Sequence, residues 1–327
     1  MGGYLITGAT GFVGSHLIEA VARNGLRTRA LVRRTSDLAV LERHGVERVV
    51  GDLSDSAGLR EAVADADTVL HLAAATRALR PGAFHAVNAE GTRRLVRAME
   101  EDGRPRRLIY LSSLAAVGPR AEMPAGPEDE PHPVTAYGRS KLEGERAALS
   151  SARLSVAVLR APAVYGPGDR DLLTFFKLAD RGVLPLVGSP ERRLQFVHVR
   201  DLVEGVLAAA GAEATGIFHI AEPRGYAWSE VLDLLRAAVG RRAVRIPVPS
   251  GLLRGAAAVA EAVARARGKA GIFDRDKARE VLAPGWLCET DRARRELGYE
   301  AAVPLEEGLR ETAAWYRSYH WLRPVRA

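Results

Sequence analysis

The 327-residue sequence has a single cysteine, Cys288, so no disulfide can form within the chain, which fits a reducing compartment. Aromatic residues make up only 6%, too few to interleave with basic residues as a nucleic-acid surface requires. The arginine doublets at 33–34, 93–94, 106–107, 192–193 and 241–242 are scattered, so the net charge of +7 reads as a solvated, arginine-rich surface and not as a nucleic-acid footprint. Long apolar runs are also missing. The most apolar late stretch, 251–266, is broken by Arg254, Glu261 and Arg265, whereas a membrane span needs about 20 nearly uninterrupted apolar residues. It reads as an amphipathic or core helix, with peripheral membrane contact left open. The eight histidines show no HExxH or comparable ligand spacing, so no metal is expected. No charged-then-apolar leader precedes the strand-like run Tyr4-Leu5-Ile6, and a cytoplasmic location is expected.

With 47% hydrophobic and 27% charged residues, the chain has the composition of an ordinary globular protein, long enough for one large domain or two joined ones. Near-continuous apolar runs at 5–7, 30–32, 49–50, 69–72, 108–111 and 156–159 read as strands covered on both faces. Helical periods separate them. The first carries Val13, Leu17, Ile18 and Val21 at helical spacing and stops at Asn24-Gly25, a helix-ending signal. Alternation of this kind predicts an α/β fold with a doubly wound parallel sheet. Residues 1–165 form the expected main domain and 166–327 a smaller, mostly helical substrate-binding lobe, with a strand near 216–221 returning to the main sheet. The loop 118–133 carries five prolines, and long loops inside compact domains are usually functional.

Gly8-Ala9-Thr10-Gly11-Phe12-Val13-Gly14 follows the first strand and enters the first helix. Such glycines permit the tight turn, the close approach of a pyrophosphate and the packing of helix on strand, while the helix N-terminus attracts the anion. In this context the string predicts dinucleotide binding. An acidic residue about 20 positions on would hold the ribose 2′-hydroxyl of NAD, and an arginine there suits the 2′-phosphate of NADP. The chain reads Ala30-Leu31-Val32-Arg33-Arg34, which favours NADP(H) and leaves NAD(H) as the alternative. Asp52 and Leu53, after the third strand, are placed to meet the adenine. Leu72, Ala73 and Ala74 end the fourth with small residues where backbone can approach the cofactor.

Tyr137 and Lys141 lie four apart, hence one turn apart on one helical face. A cation about 4 Å from a phenol contributes up to about 4 kcal/mol at an effective dielectric of about 20, which would carry its pKa from about 10 towards neutrality. Tyr137 could then move a proton. Ser113 ends the fifth strand, at the carboxyl edge where ligands bind in such folds.

These residues together resemble the short-chain dehydrogenase/reductase superfamily, in its extended, NAD-dependent epimerase/dehydratase-like branch with a Rossmann sheet. The resemblance extends to Asn88 with Gly91-Thr92, Ser112-Ser113, the run 160–168, the run Phe196-Val197-His198-Val199-Arg200-Asp201 and the tail 296–309. It implies that Tyr137 is the general acid or base, that Lys141 holds the nicotinamide ribose and tunes Tyr137, and that Ser113 hydrogen-bonds the substrate oxygen. It further implies that Asn88 supports the local proton-relay network and that Pro162 and Val164 line the nicotinamide. A homodimer through helices flanking the site is implied as well.

The sequence departs from the nucleotide-sugar enzymes of the branch. Leu114-Ala115 stand where 4,6-dehydratases carry an Asp-Glu pair, and Leu194-Gln195 stand where a phosphate-clamping Arg-Asp is frequent, with Arg193 one position off. What remains resembles the 3β-hydroxysteroid dehydrogenase-like and dihydroflavonol reductase-like subgroup. That implies an NADP(H)-dependent oxidoreductase interconverting a ketone and a secondary alcohol on a fairly apolar small molecule. Residues 252–266, Phe175, Phe176 and Trp286 are candidates for an apolar pocket wall, against a simpler role as core. The alternatives are a nucleotide-sugar epimerase with retained NAD and a non-catalytic dinucleotide-binding sensor or scaffold.

Overall fold

The computed structural model describes residues 3–324 except 102, 104, 105 and 272. Seven parallel strands form the central sheet: β1 (Gly3–Thr7), β2 (Thr28–Val32), β3 (Glu47–Val50), β4 (Ala66–His71), β5 (Arg106–Ser113), β6 (Leu154–Ala161) and, later in the chain, Gly216–His219. The order across the sheet is Gly216–His219, β6, β5, β4, β1, β2, β3, so the order in which strands are added reverses between β1 and β4. That reversal opens a crevice at the carboxyl ends of the strands, the usual ligand site of such sheets.

Alternate strand residues feed two separate cores. Ile6, Ala30, Val32, Leu70, Ile109 and Leu159 pack on α1 (Phe12–Arg23) and on the helix Val199–Gly211. Their neighbours Leu5, Leu31, Val69, Leu108 and Val158 pack on the other face, against the helices Ser56–Val63 and Gly91–Glu101. Burial on both faces is why these strands read as unbroken apolar runs. Helix α1 runs to Arg23 and is closed by Asn24 and by Gly25 at φ +62°, as the Asn-Gly signal predicts.

The helices and short strands that bear on the site are numbered in chain order. They are α2 (Ala39–His44), α3 (Ser56–Val63), α4 (Pro81–Phe84), α5 (Gly91–Glu101), α6 (Ala136–Leu149), α7 (Leu173–Asp180), α8 (Val199–Gly211), α9 (Trp228–Val239), α10 (Ser250–Ala266) and α11 (Arg275–Leu282). A π-helical segment, His85–Glu90, lies between α4 and α5. Outside the sheet, Ala163–Tyr165 pairs with Phe196–His198, and Val244–Val248 pairs with Val183–Val187, both in parallel. A third core around Phe176, Trp228, Leu232, Leu309 and Tyr316 holds α7, α9 and the C-terminal helix Leu305–Ser318 together. The loop 118–133 is stitched to 285–289 by Arg120 N to Gly285 O, Ala125 N to Leu287 O and Glu289 N to Ala125 O, at 2.9–3.0 Å. No helix among the described residues is long and apolar enough to cross a membrane.

Candidate active site

The glycine-rich turn is shaped for close backbone approach. Gly8 sits at φ +76°, and a Cβ there would stand 2.6 Å from the amide nitrogen of Ala73. At Gly14 a Cβ would stand 2.1 Å from the Gly8 carbonyl oxygen. Gly11 N donates to that same oxygen at 3.0 Å. Gly11 is exposed at the N-cap of α1, and no side chain caps the helix, so the first-turn amides of Phe12, Val13 and Gly14 remain oriented for an anion. Thr10 is partly buried in the turn. This cradle fits a dinucleotide pyrophosphate.

The segment 162–168 crosses over the same helix end. Pro162 is buried and Val164 partly so, His16 Nε2 contacts Pro167 O at 2.8 Å, and Phe12 packs beside Gly168. Arg33 and Arg34 are exposed at the end of β2, where Ser36 Oγ accepts from Arg33 N at 3.1 Å. Asp52 is exposed; its carboxyl is held below the usual range by Ser54, first through the hydroxyl and then the amide, with the Arg33 charge contributing. Leu53 is buried against Gly91. Leu72 N donates to Thr7 O at 3.1 Å and Ala73 N to Thr7 Oγ1 at 3.2 Å, which ties Leu72, Ala73 and Ala74 to the end of β1.

A buried polar chain runs beneath this edge. Thr92 Oγ1 donates to Asn88 O at 2.7 Å, so it accepts from His71 Nε2 at 3.0 Å; His71 Nδ1 then accepts from Thr7 Oγ1 at 2.6 Å. The pattern requires a neutral imidazole, and burial together with the Lys141 charge pulls the His71 pKa down to about 3. Asn88 is fully engaged. It accepts from Ala75 N at 2.7 Å and donates to Ala75 O at 3.0 Å and to Ser140 Oγ at 2.9 Å. It thereby locks the loop after β4 to α6.

Ser113, Tyr137 and Lys141 are brought to one edge of the sheet by β5 and α6. Thr135 caps α6 by accepting from Gly138 N, and Asp276, 140 residues away, accepts from Ala136 N at 2.7 Å. The partly buried Tyr137 ring packs edge-on against Phe84, with centroids 6.0 Å apart. Its phenol is raised above the usual pKa by burial first and then by the Glu280 carboxylate, while the Ser113 hydroxyl offsets part of the rise and Asp171 adds to it.

The expected depression of Tyr137 by Lys141 is absent. The buried Lys141 Nζ donates instead to Leu111 O at 2.7 Å and lies 4.2 Å from the Tyr110 ring centroid. Sequence spacing fixes the shared helical face, but the four-carbon stem reaches the strand carbonyl. Burial pulls Lys141 down to about 7, against the Glu145 charge. One turn beyond Lys141, Glu145 forms a buried ion pair with Arg160, through Nε at 3.0 Å and Nη2 at 2.8 Å, and accepts from Ser112 Oγ at 2.5 Å.

A cleft of about 500 Å³ opens between Pro119 and Val134 on one side and α10 and α11 on the other, with Arg254, Arg275, Arg279 and Leu282 in its wall. Helix α11 thus serves both cleft and site, since it also carries Asp276 and Glu280. The expected apolar wall is not built from α10: Leu252, Val259 and Val263 face solvent. Phe176 is core, Phe175 packs edge-on against Trp228, and Trp286 Nε1 donates to Glu280 O at 3.1 Å. Gln195 is tied up by Glu222 O, Pro223 O and Cys288 N, while burial pushes the Cys288 thiol up to about 12. No group of three metal-ligating side chains occurs among the described residues.

Sequence reasoning missed Phe84, Asp276 and Glu280. The last two lie about 140 residues from Tyr137 and follow no local pattern. Glu145 was readable only as one more turn of the stripe Tyr137, Lys141, Glu145.

Known proteins share this architecture. The chain is 33% identical to a ceramide reductase of Caulobacter vibrioides over 97% of this chain and 95% of the other. It is 29% identical to a 2-alkyl-3-oxoalkanoate reductase of Stenotrophomonas maltophilia, with 95% and 98% covered. Among solved structures it resembles MoeE5 in complex with UDP-glucuronic acid and NAD, at TM-score 0.73 and 26% identity over 97% of this chain and all of that one. Residues 4–221, from the first strand past the seventh, match the family model, and with the reductase likeness along nearly the whole length the chain belongs to the NAD dependent epimerase/dehydratase family of NAD(P)-dependent enzymes.

Proposed function

We propose that this enzyme is an NADP(H)-preferring oxidoreductase that interconverts a ketone and a secondary alcohol on a fairly apolar small molecule. The observation that carries the reading is the convergence of Ser113, Tyr137 and Lys141 at the sheet edge beside the glycine cradle, with buried Leu114 and Ala115 where an eliminating enzyme needs acids. The reductase names of the two relatives support it.

When bound, the dinucleotide supplies or accepts the hydride and its two electrons. In reduction, Ser113 holds the substrate carbonyl oxygen and Tyr137 gives it a proton as the carbonyl carbon gains the hydride; Tyr137 then recovers a proton from solvent. In this reading, Lys141 and Tyr137 hold the nicotinamide ribose, and Pro162 and Val164 face the ring. The cradle of Gly8, Thr10, Gly11, Phe12, Val13 and Gly14 takes the pyrophosphate. Asp52, Leu53, Leu72, Ala73 and Ala74 line the adenosine side, and Arg33, helped by Arg34, takes a 2′-phosphate. An anionic cofactor favours the protonated form of Lys141, whose cation in turn favours ionisation of Tyr137. Asn88 acts as a positioning residue. Residues beyond 165 select the substrate.

The test is a screen of long-chain 3-oxo compounds, sterol ketones and sphingoid ketones, following NADPH absorbance, beside extraction of any cofactor carried through purification. NADPH-dependent turnover of an apolar ketone is expected. Tightly retained NAD with epimerisation of a nucleotide sugar overturns the reading.

A further inference from the structure

Helix α10 turns an apolar side outward. Of its seventeen residues only Ala257 is buried. Leu252, Val259 and Val263 are 67%, 65% and 42% exposed, and their spacings of seven and four place them on one face with the exposed Gly255, Ala256, Ala262 and Ala266. The helix's charged residues, Arg254, Glu261 and Arg265, fall together on the side opposite that face, and the exposed Arg267 and Lys269 follow its C-terminal end. Val244 and Ile246, at alternate positions of the strand leading into α10, are 69% and 48% exposed. A surface helix normally turns its polar side to water, so an apolar face of this kind marks an interaction surface.

Charge indicates what covers it. Residues 241–279 contain ten Lys and Arg against three Asp and Glu, an excess equal to the +7 of the whole chain. The rest of the molecule is electrically balanced. Some of these cations are spent in ion pairs, as Arg265 is on Glu261 and Arg279 on Asp276. Among the described residues no ion pair engages Arg242, Arg254, Arg267 or Lys269.

We propose that α10 and the strand before it dock on an anionic lipid surface. Leu252, Val259 and Val263 enter the headgroup boundary, and the stems of Arg242, Arg267 and Lys269, at the two ends of this strand–helix unit, extend to lipid phosphates. A second copy of this chain fits the face poorly, since it would set the same positive excess against itself. Arg254, the α10 residue in the cleft wall, stands on the opposite side of the helix from Leu252, so the docking does not rest on the ketone reading.

Sedimentation of the full chain with phosphatidylcholine vesicles, with and without about 30% phosphatidylglycerol, tests the proposal. Binding to the anionic vesicles is expected, with about tenfold or greater loss on neutral vesicles or at about 0.5 M salt. Leu252→Asp with Val259→Asp is expected to reduce vesicle binding by about tenfold or more while NADPH affinity and thermal midpoint stay unchanged, because both side chains already face water. Absence of binding to anionic vesicles, equal binding to neutral ones, or undiminished binding by the double variant overturns the proposal. So does a wild-type dimer that ignores vesicles and becomes a monomer in the variant, which would make the face a self-interface.

Discussion

Replacing Arg160 by methionine isolates the buried charge beneath the site. Glu145 and Arg160 side chains are each 2% exposed, and the Glu145 carboxylate receives two guanidinium hydrogen bonds and one from Ser112. Arg160→Met leaves that carboxylate buried with the Ser112 hydroxyl and the more distant Lys141 cation, so about 3–5 kcal/mol of stability should be lost, a large share of the roughly 5–15 kcal/mol a domain commonly has. Replacing both residues with apolar ones, Glu145→Leu with Arg160→Met, should recover most of the loss, to within about 2 kcal/mol of wild type. Urea unfolding followed by circular dichroism measures all three proteins. A loss below about 1 kcal/mol for Arg160→Met, or a double variant no better than the single one, would refute the reasoning.

Three other outcomes follow from the same geometry. Arg33→Ala should weaken NADPH binding by about tenfold or more and leave NADH nearly untouched, as read by nucleotide fluorescence titration; an unchanged preference removes Arg33 as the selector. Gly14→Ala should abolish dinucleotide binding, because its Cβ would meet the Gly8 carbonyl at 2.1 Å; wild-type affinity would contradict the cradle. His71 is pulled down to about 3, and His198 and His219 to about 4, chiefly by burial. Groups whose folded pKa is depressed contribute stability that is full above the ordinary histidine value of about 6.5 and is lost as pH falls towards the folded values. The thermal midpoint should therefore drop steeply between about pH 6.5 and 4, and a flat profile there would contradict the neutral buried imidazoles.

The central sheet was legible in the sequence because burial on both faces writes its strands as unbroken apolar runs. All six runs, and the stretch near 216–221, contribute to the seven-stranded sheet. The end of α1 was equally plain, since Asn24-Gly25 is a local signal. Periodicity shows which residues share a helical face but not what that face meets. The stripe 252–266 was therefore legible as amphipathic, yet its suggested place in a pocket wall is not where Leu252, Val259 and Val263 stand. The same limit applies to Lys141, whose flexible stem chose Leu111 O over the phenol. Contacts such as Asp276 with Ala136 depend on tertiary packing across 140 residues, and no local pattern encodes them.

Turnover and cofactor affinity of Tyr137→Phe, measured side by side with NADPH and an apolar ketone, test the assignment of proton transfer to this phenol most directly. General acid–base catalysis is worth about 10²- to 10⁴-fold, so turnover should fall by at least about 100-fold while the NADPH dissociation constant changes less than about threefold. Turnover within about tenfold of wild type, with binding intact, would contradict it.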